Sequence, residues 1–347
     1  MTAKIRPAKG APYARILGVG GYRPTRVVPN EEILKYIDSS DEWIRSRSGI
    51  ATRHWAGPEE TVAAMSVEAS GKAIADAGID PAQIDAVIVS TVSHFQQTPA
   101  VATEIAHLVG AGKPAAFDIS AGCAGFGYAL TLAKGLIVEG SAEHVLVIGV
   151  ERLSDLTDLE DRATAFLFGD GAGAVIVGPS DVPAIGPTVW GSEGDKAHAI
   201  KQTLPWDVYR TTPAPGGAAG DRPAAEEIRY PAITQEGQAV FRWAVFEMAK
   251  VAQQALDDAG VSPEDLDVFI PHQANMRIID SMVKTLKLPE NVVVARDVET
   301  TGNTSAASIP LAMERLLATG AAKSGDTALV IGYGAGLAYA ATVVTLP

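Results

Sequence analysis

Only one cysteine stands among the 347 residues. A single thiol excludes an intrachain disulfide framework and any cysteine-rich metal cluster, and it fits a reducing compartment. Basic residues are also scarce: 28 Lys and Arg face 41 Asp and Glu, a formal net charge of −13. That balance disfavours nucleic acid and anionic membrane surfaces as partners. No uninterrupted apolar run approaches the ~20 residues that cross a bilayer. The first ten residues, Met1 to Gly10, lack the apolar centre of a signal peptide. A cytoplasmic protein without metal or bound cofactor is therefore expected. Its 47% hydrophobic and 20% charged residues are those of an ordinary globular chain, long enough for one large unit or two domains.

Two glycine-bearing stretches lack what a nucleotide motif requires. Gly18 and Gly20 end an expected first strand, but Arg23 stands where a dinucleotide fingerprint has its third glycine. Gly169-Asp-Gly-Ala-Gly173 has no Gly-Lys-Ser/Thr to cradle a phosphate.

What is present centres on residues 115–137. Ala115–Ser120 reads as a short apolar strand and Ala121–Gly125 as a bend of very small residues. Phe126, Ala129, Leu130, Ala133 and Ile137 then recur at helical spacing. Cys123 thus sits where strand becomes helix. The unpaired N–H groups and positive dipole end of a helix start favour thiolate, the nucleophilic form. A lone cysteine is usually a small buried hydrophobe, so a reactive role needs support from elsewhere in the chain.

Along the rest of the sequence, Asn30 is expected to cap a helix over Glu31–Ile37. Helices are also expected over Ser66–Gly78, Ala102–Leu108 and Ala306–Thr319, and strands over Ile84–Thr91 and Val145–Val150. Residues 192–231 read as a long, flexible insertion, and Thr211–Pro223 has the composition of a mobile surface loop. Helical spacing resumes from Gln238 to Ala259. One pattern occurs twice: Asp76–Ile88 matches Asp258–Ile270, 182 positions apart, and Leu146–Gly149 matches Leu329–Gly332, 183 apart. A repeat of half the chain implies a duplicated domain, with halves over 1–180 and 181–347. Each half alternates strands and helices, so sheets covered by helices are expected. Cys123 then falls near Ser305, which also begins a helix.

The second half adds two reactive junctions. His272 follows a buried strand at a Pro-marked break, and Asn303 lies in a tight turn before a helix. Strand ends are where α/β proteins gather reactive groups, although Asn303 is equally suited to capping its helix.

Gly122-Cys-Ala-Gly-Phe126, Phe168-Gly-Asp-Gly-Ala-Gly173, Pro271-His-Gln-Ala-Asn275, Gly302-Asn-Thr-Ser-Ala-Ala-Ser308 and Gly332-Tyr-Gly-Ala-Gly336 occur in that order. Together they resemble β-ketoacyl-acyl-carrier-protein synthase III of the thiolase superfamily, from about Ala14 to the C-terminus. The resemblance implies a thiolase-like duplicated α-β-α-β-α five-layer fold and a homodimer. It implies that Cys123 takes an acyl group from acyl-CoA, and that malonyl-acyl-carrier protein then condenses on it with loss of CO2. His272 and Asn303 would donate to the enolate oxygen, and the N–H groups of Cys123 and Ala335 would hold the other oxyanion.

The same resemblance gives substrate arms. Trp43, Arg47 and Arg162 match residues that hold the CoA adenine, and Asn275 a residue lining the pantetheine tunnel. Arg242, Arg277 and Lys284 would form a basic patch for the acidic carrier protein. Thr98 stands where members using straight two-carbon primers have Phe, which implies room for butyryl, isobutyryl or isovaleryl primers. Two other classes share parts of the pattern. Papain-like hydrolases have Cys, His and Asn in this order but do not explain the repeat. A silent partner subunit would typically lack the cysteine. A synthase III-like acyltransferase that passes its acyl group to a specialised-metabolite acceptor is the nearest alternative.

Overall fold

A computed structural model describes residues 5–211 and 230–347. The first half runs β1 (Tyr13–Tyr22), β2 (Arg26–Pro29), α1 (Asn30–Ile33), α2 (Asp41–Ser48), β3 (Thr52–Trp55) and α3 (Val62–Ala77). It continues with β4 (Ala86–Ser90), α4 (Val101–Leu108), β5 (Ala115–Ile119), α5 (Gly125–Glu139), β6 (Val145–Arg152) and β7 (Asp170–Ser180). The second half opens with β8 (Val189–Ser192), β9 (Ile200–Gln202), α6 (Trp206–Thr211), β10 (Ile233–Gln235), α7 (Gly237–Phe246) and α8 (Met248–Ala259). It closes with β11 (Val268–Pro271), α9 (Met276–Thr285), β12 (Val293–Val294), α10 (Val298–Thr301), α11 (Ser308–Ala318), β13 (Thr327–Gly334) and β14 (Ala338–Thr345). Within the expected insertion, the loop after Thr211 lies outside the described residues up to 229.

Local chemistry moves several expected boundaries. The third helix begins at Val62 because the Thr61 side chain accepts the Ala64 N–H, and it ends on left-handed Gly78. Asn30 caps nothing. Its Nδ2 donates to Asp41 and to the Ile50 carbonyl, while its Oδ1 accepts the buried guanidinium of Arg53 at 2.5 Å. A helix of one turn results where seven residues were expected. The run from Gln238 divides into α7 and α8, which meet at Glu247. Gly18 and Gly20 serve close packing: a Cβ on either would meet the backbone of α3 at 2.4 and 2.2 Å.

Two five-stranded sheets have the same plan, β1-β7-β6-β4-β5 and β8-β14-β13-β11-β12. In each, the two pairings at the β5 or β12 end are parallel and the two at the β1 or β8 end antiparallel. The registers superpose as well: Ala86 faces Val145, and their counterparts Val268 and Ala328 face each other. Alternation along the strands sends residues to opposite faces. From the first sheet, Ile88, Val147 and Val175 join Val268 and Val330 of the second around α5 and α11. The opposite faces carry Val87, Val89 and Ile148 against α3 and α4, and Phe269, Leu329 and Ile331 against α7, α8 and α9. The result is five layers, helix–sheet–helix–sheet–helix, with α5 and α11 buried in the middle.

Candidate active site

Those two central helices begin beside each other, and each is preceded by a tight turn. Ahead of α5, Ala121 and Gly122 adopt φ of −133° and +51°. Ahead of α11, Thr304 and Ser305 adopt −101° and +47°. Ser305 therefore matches Gly122, and the counterpart of Cys123 is Ala306, one position beyond the expected one. Two glycines let the second half close over the cysteine. A Cβ on left-handed Gly122 would lie 3.3 Å from the Ala335 Cβ. A Cβ on Gly334 would lie 2.8 Å from the Cys123 Sγ and 3.2 Å from its N.

His272 and Asn303 are fixed by bonds to both halves. The His272 N–H donates to Ile331 on β13 at 2.7 Å. Asn303 N–H donates to the Leu167 carbonyl, and its own carbonyl accepts from Gly169. The Asn303 Oδ1 accepts the Ser305 N–H at 2.9 Å. That contact uses the acceptor end of the amide and leaves the NH2 end for the cavity. The His272 Nδ1 lies 2.7 Å from the Ser308 hydroxyl, which leaves Nε2. Cys123, His272, Asn303, Ser305, Tyr333 and Ala335 all line one cavity of about 510 Å³. The three residues expected to react are thus brought together from a turn, a strand end and a loop.

Burial sets their charge. Desolvation lowers His272 to about 3, so its ring is neutral at any ordinary pH. Desolvation also raises the Cys123 thiol to about 12, against the help of the Ser305 hydroxyl and its own N–H. The expected resting thiolate is corrected here. The helix start is present, but protein packed around the sulfur outweighs it. The Glu151 carboxylate raises the thiol further. Glu151 is itself fully buried and pushed up to about 7 by desolvation.

The substrate arms are placed as follows. On α2, Trp43 has the Arg162 guanidinium carbon 4.7 Å from its ring centre and that of Arg47 5.8 Å away. Phe166 meets the same ring edge-on. Asn275 caps α9, accepting from the Arg277 N–H and donating to the Arg47 carbonyl. It lies outside the cavity lining, which at this point is Ala274 and Ile278. Arg277 stacks over Phe241, the neighbour of Arg242 on α7. Lys284 is exposed, two turns further along α9. Thr98 is exposed and does not line the cavity of its own chain, whereas His94, Gln96 and Gln97 do.

Sequence reasoning passed over three groups. Ser305 is marked in the sequence only as a helix start opposite Cys123, with no chemical role. Tyr333, within the Gly332–Gly336 motif, has a buried hydroxyl without a hydrogen-bond partner and a ring edge-on to His272 at 5.3 Å. Glu151 carried one signal: a charged residue extending an otherwise apolar strand.

The family description "3-oxoacyl-(acyl-carrier-protein) synthase III" matches residues 117–194, and its C-terminal counterpart matches 256–346. The β-ketoacyl-acyl-carrier-protein synthase III 1 of Streptomyces coelicolor is 81% identical over 347 residues, covering 99% of this chain and 100% of the relative. This chain belongs to the β-ketoacyl-acyl-carrier-protein synthase III family. Solved members share its shape. The priming β-ketosynthase of a polyketide biosynthetic pathway superposes with a TM-score of 0.92 at 46% identity, covering 100% of this chain and 99% of the other. The synthase III of Aquifex aeolicus gives 0.84 at 36% identity, covering 96% and 99%. Among the described residues no helix is long and apolar enough to cross a membrane.

Proposed function

We propose that this protein condenses an acyl-CoA primer with malonyl-acyl-carrier protein, with loss of CO2, and so opens type II fatty acid synthesis. The reading rests on one observation above the others: the chain's only thiol shares a cavity with two hydrogen-bonding groups whose orientation is fixed. The Cys123 sulfur attacks the thioester carbonyl, and the CoA sulfur leaves with the electron pair of the broken bond. Malonyl on the carrier then loses CO2, and its enolate carbon attacks the acyl-Cys123 carbonyl. His272 Nε2 and Asn303 Nδ2 face the enolate oxygen. Ser308 accepts the Gln273 N–H, so its own proton is free for His272 Nδ1, and the ring proton then sits on Nε2. A neutral imidazole suits this role, since it donates without protonating the carbanion. The N–H groups of Cys123 and Ala335 receive the other oxyanion. Removing a donor of this kind costs ~10²–10³ in rate.

Trp43 and Arg47 hold the adenine of CoA. Arg162 is in direct cation–π contact with Trp43, with no room for a purine between them. Adenine binding therefore displaces the Arg162 guanidinium. Asn275 orders the tunnel wall by capping α9. Arg242, Arg277 and Lys284 meet the acidic carrier. A homodimer is supported by β5, a half-exposed edge strand, apolar except for Asp118, that leads into the Cys123 turn. The exposed cluster of Phe95, Trp206, Tyr209 and Tyr230 supports it too. In that dimer the partner's Thr98 closes the acyl pocket, and its small side chain admits branched and four-carbon primers. Intact-mass analysis after incubation with a panel of acyl-CoAs tests the reading. One acyl group should appear on wild type and none on Cys123→Ala. Adding malonyl-carrier should discharge it from wild type but much more slowly from His272→Ala and Asn303→Ala. Acylation without condensation refutes the synthase reading.

A further inference from the structure

The mechanism leaves one question open: where the Cys123 proton goes. His272 is the obvious base in such a site, but burial holds it neutral and strongly resists its protonation. Glu151, at the end of β6, is completely buried. Its Oε2 accepts three bonds, from the Ser93 hydroxyl at 2.6 Å, the Val92 N–H at 3.1 Å and the Thr91 hydroxyl at 3.3 Å. Its Oε1 has no partner in hydrogen-bond geometry. The Ser305 hydroxyl is nevertheless near enough to favour the charged form of Glu151, and it does the same for Cys123. The packing agrees: on Gly149, two residues earlier on the same face of β6 as Glu151, a Cβ would lie 2.2 Å from the Ala306 carbonyl oxygen, and Ser305 lines the cavity that holds Cys123. Ser305 is held there by a left-handed backbone at φ +47° and by its N–H bond to Asn303. A purely structural role would use Oε2 alone, and a neutral Gln would fill it without burying a charge.

We propose that Glu151, acting through the Ser305 hydroxyl, takes the Cys123 proton as the sulfur attacks and holds it until the sulfur is expelled. The inference rests on the acyl-transfer reading above. As the C–S bond to Cys123 forms, the Sγ proton moves to Ser305 Oγ and the Ser305 proton moves to Glu151 Oε1. The CoA sulfur leaves as a thiolate and is protonated by solvent. When the enolate carbon displaces Cys123, the emerging Sγ thiolate recovers its proton from Glu151 by the same route. Glu151 is then ready for the next cycle, and one solvent proton has been consumed, as decarboxylative condensation requires.

Other charged groups around the pair are few. β4 and the buried faces of α3 and α5 bring none. From β7 comes Asp170, whose oxygens are held by the Ala56 N–H and by Ser154. Arg152 is paired with Asp155. On the cysteine side stand neutral His272 and Tyr333, whose phenol is raised further by burial.

The lone cysteine makes the test simple. Alkylation by iodoacetamide, followed by intact mass from pH 6 to 9, reports Cys123 only and needs no natural substrate. In wild type the rate should rise as Glu151 ionises, near pH 7, and then level off. Glu151→Gln should abolish that step and slow alkylation at pH 8 about tenfold or more, since losing a general base typically costs ~10²–10⁴. Ser305→Gly, which suits the left-handed backbone, should do the same, and Glu151→Asp should restore part of the rate. A mere negative charge would act with the opposite sign: its removal makes the thiol more acidic. Faster or unchanged alkylation in Glu151→Gln therefore overturns the proposal. Wild type that alkylates as expected but takes no acyl group from any acyl-CoA would instead sink the condensation reading.

Discussion

Replacing Glu151 with Gln should stabilise the fold by an amount that grows as pH rises from about 4.5 and is complete above about 7. Burial raises this carboxyl from 4.5 to about 7. Below pH 4.5 it is protonated in both the folded and unfolded chain and contributes no difference. Between pH 4.5 and 7 the unfolded chain ionises while the folded one resists, so stability falls as pH rises. Above pH 7 the folded state carries a buried charge at full cost. At 1.36 kcal/mol for each pK unit, the penalty comes to about 3 kcal/mol. Gln has the same shape and keeps an oxygen for Val92, Ser93 and Thr91. Urea unfolding of wild type and variant at pH 4.5 and pH 8 measures the effect. The expected gain is about 3 kcal/mol at pH 8 and close to zero at pH 4.5. An equal gain at both values, or a loss at pH 8, would refute the reasoning, because neither follows from a desolvated carboxylate. The variant that should be more stable is also the one expected to have a sluggish cysteine, the pattern of a group kept for function against stability.

Gly334→Ala should slow acylation of Cys123 about 10²-fold, since its Cβ would meet Sγ at 2.8 Å and a displacement of order 1 Å is enough for that loss. Its φ of 175° suits any residue, so crowding should be the only defect, lowering stability by about 1–3 kcal/mol. Unchanged acylation kinetics would show that the hairpin does not press on the nucleophile. Trp43→Ala should raise KM for acyl-CoA about tenfold and leave a short acyl thioester without adenine unaffected. An equal rise for both thioesters would remove Trp43 from the adenine site. Arg277→Glu should raise KM for malonyl-carrier at low salt, lose that effect at high salt, and spare acylation by acyl-CoA. A salt-independent defect would point to damage to α9 instead.

The duplicated architecture was legible because it is written twice. A helix end, turn and strand recur with the same small residues, and the registers Ala86–Val145 and Val268–Ala328 carry that repeat into the sheets. Cys123, His272 and Asn303 were legible because each stands at a break where periodicity stops. Short elements were less so. Asn30 has the ideal side chain for a cap, yet it is committed to Arg53, 23 residues on. That competition depends on tertiary contact and leaves no local mark. The division of the run from Gln238 into α7 and α8 left none either.

Charge was the least legible property. A sequence shows that a helix starts near Cys123, and that argues for a thiolate. It does not show how much protein closes over the sulfur from the other half of the chain, through Gly334 and Ala335. Once that cover is present, the same desolvation acts on the thiol and on the imidazole that shares its cavity. It raises the thiol and lowers the imidazole, so a resting thiolate–imidazolium pair is opposed from both sides. The nucleophile must then lose its proton during attack rather than before it, to a group that burial has made a better base than an ordinary carboxylate. Burial acts on a carboxyl in that direction alone, and Glu151 is the buried carboxyl whose charge reaches Cys123. Packing around the thiol and around Glu151 thus both withholds the resting thiolate and prepares the group that receives its proton, by one physical cause.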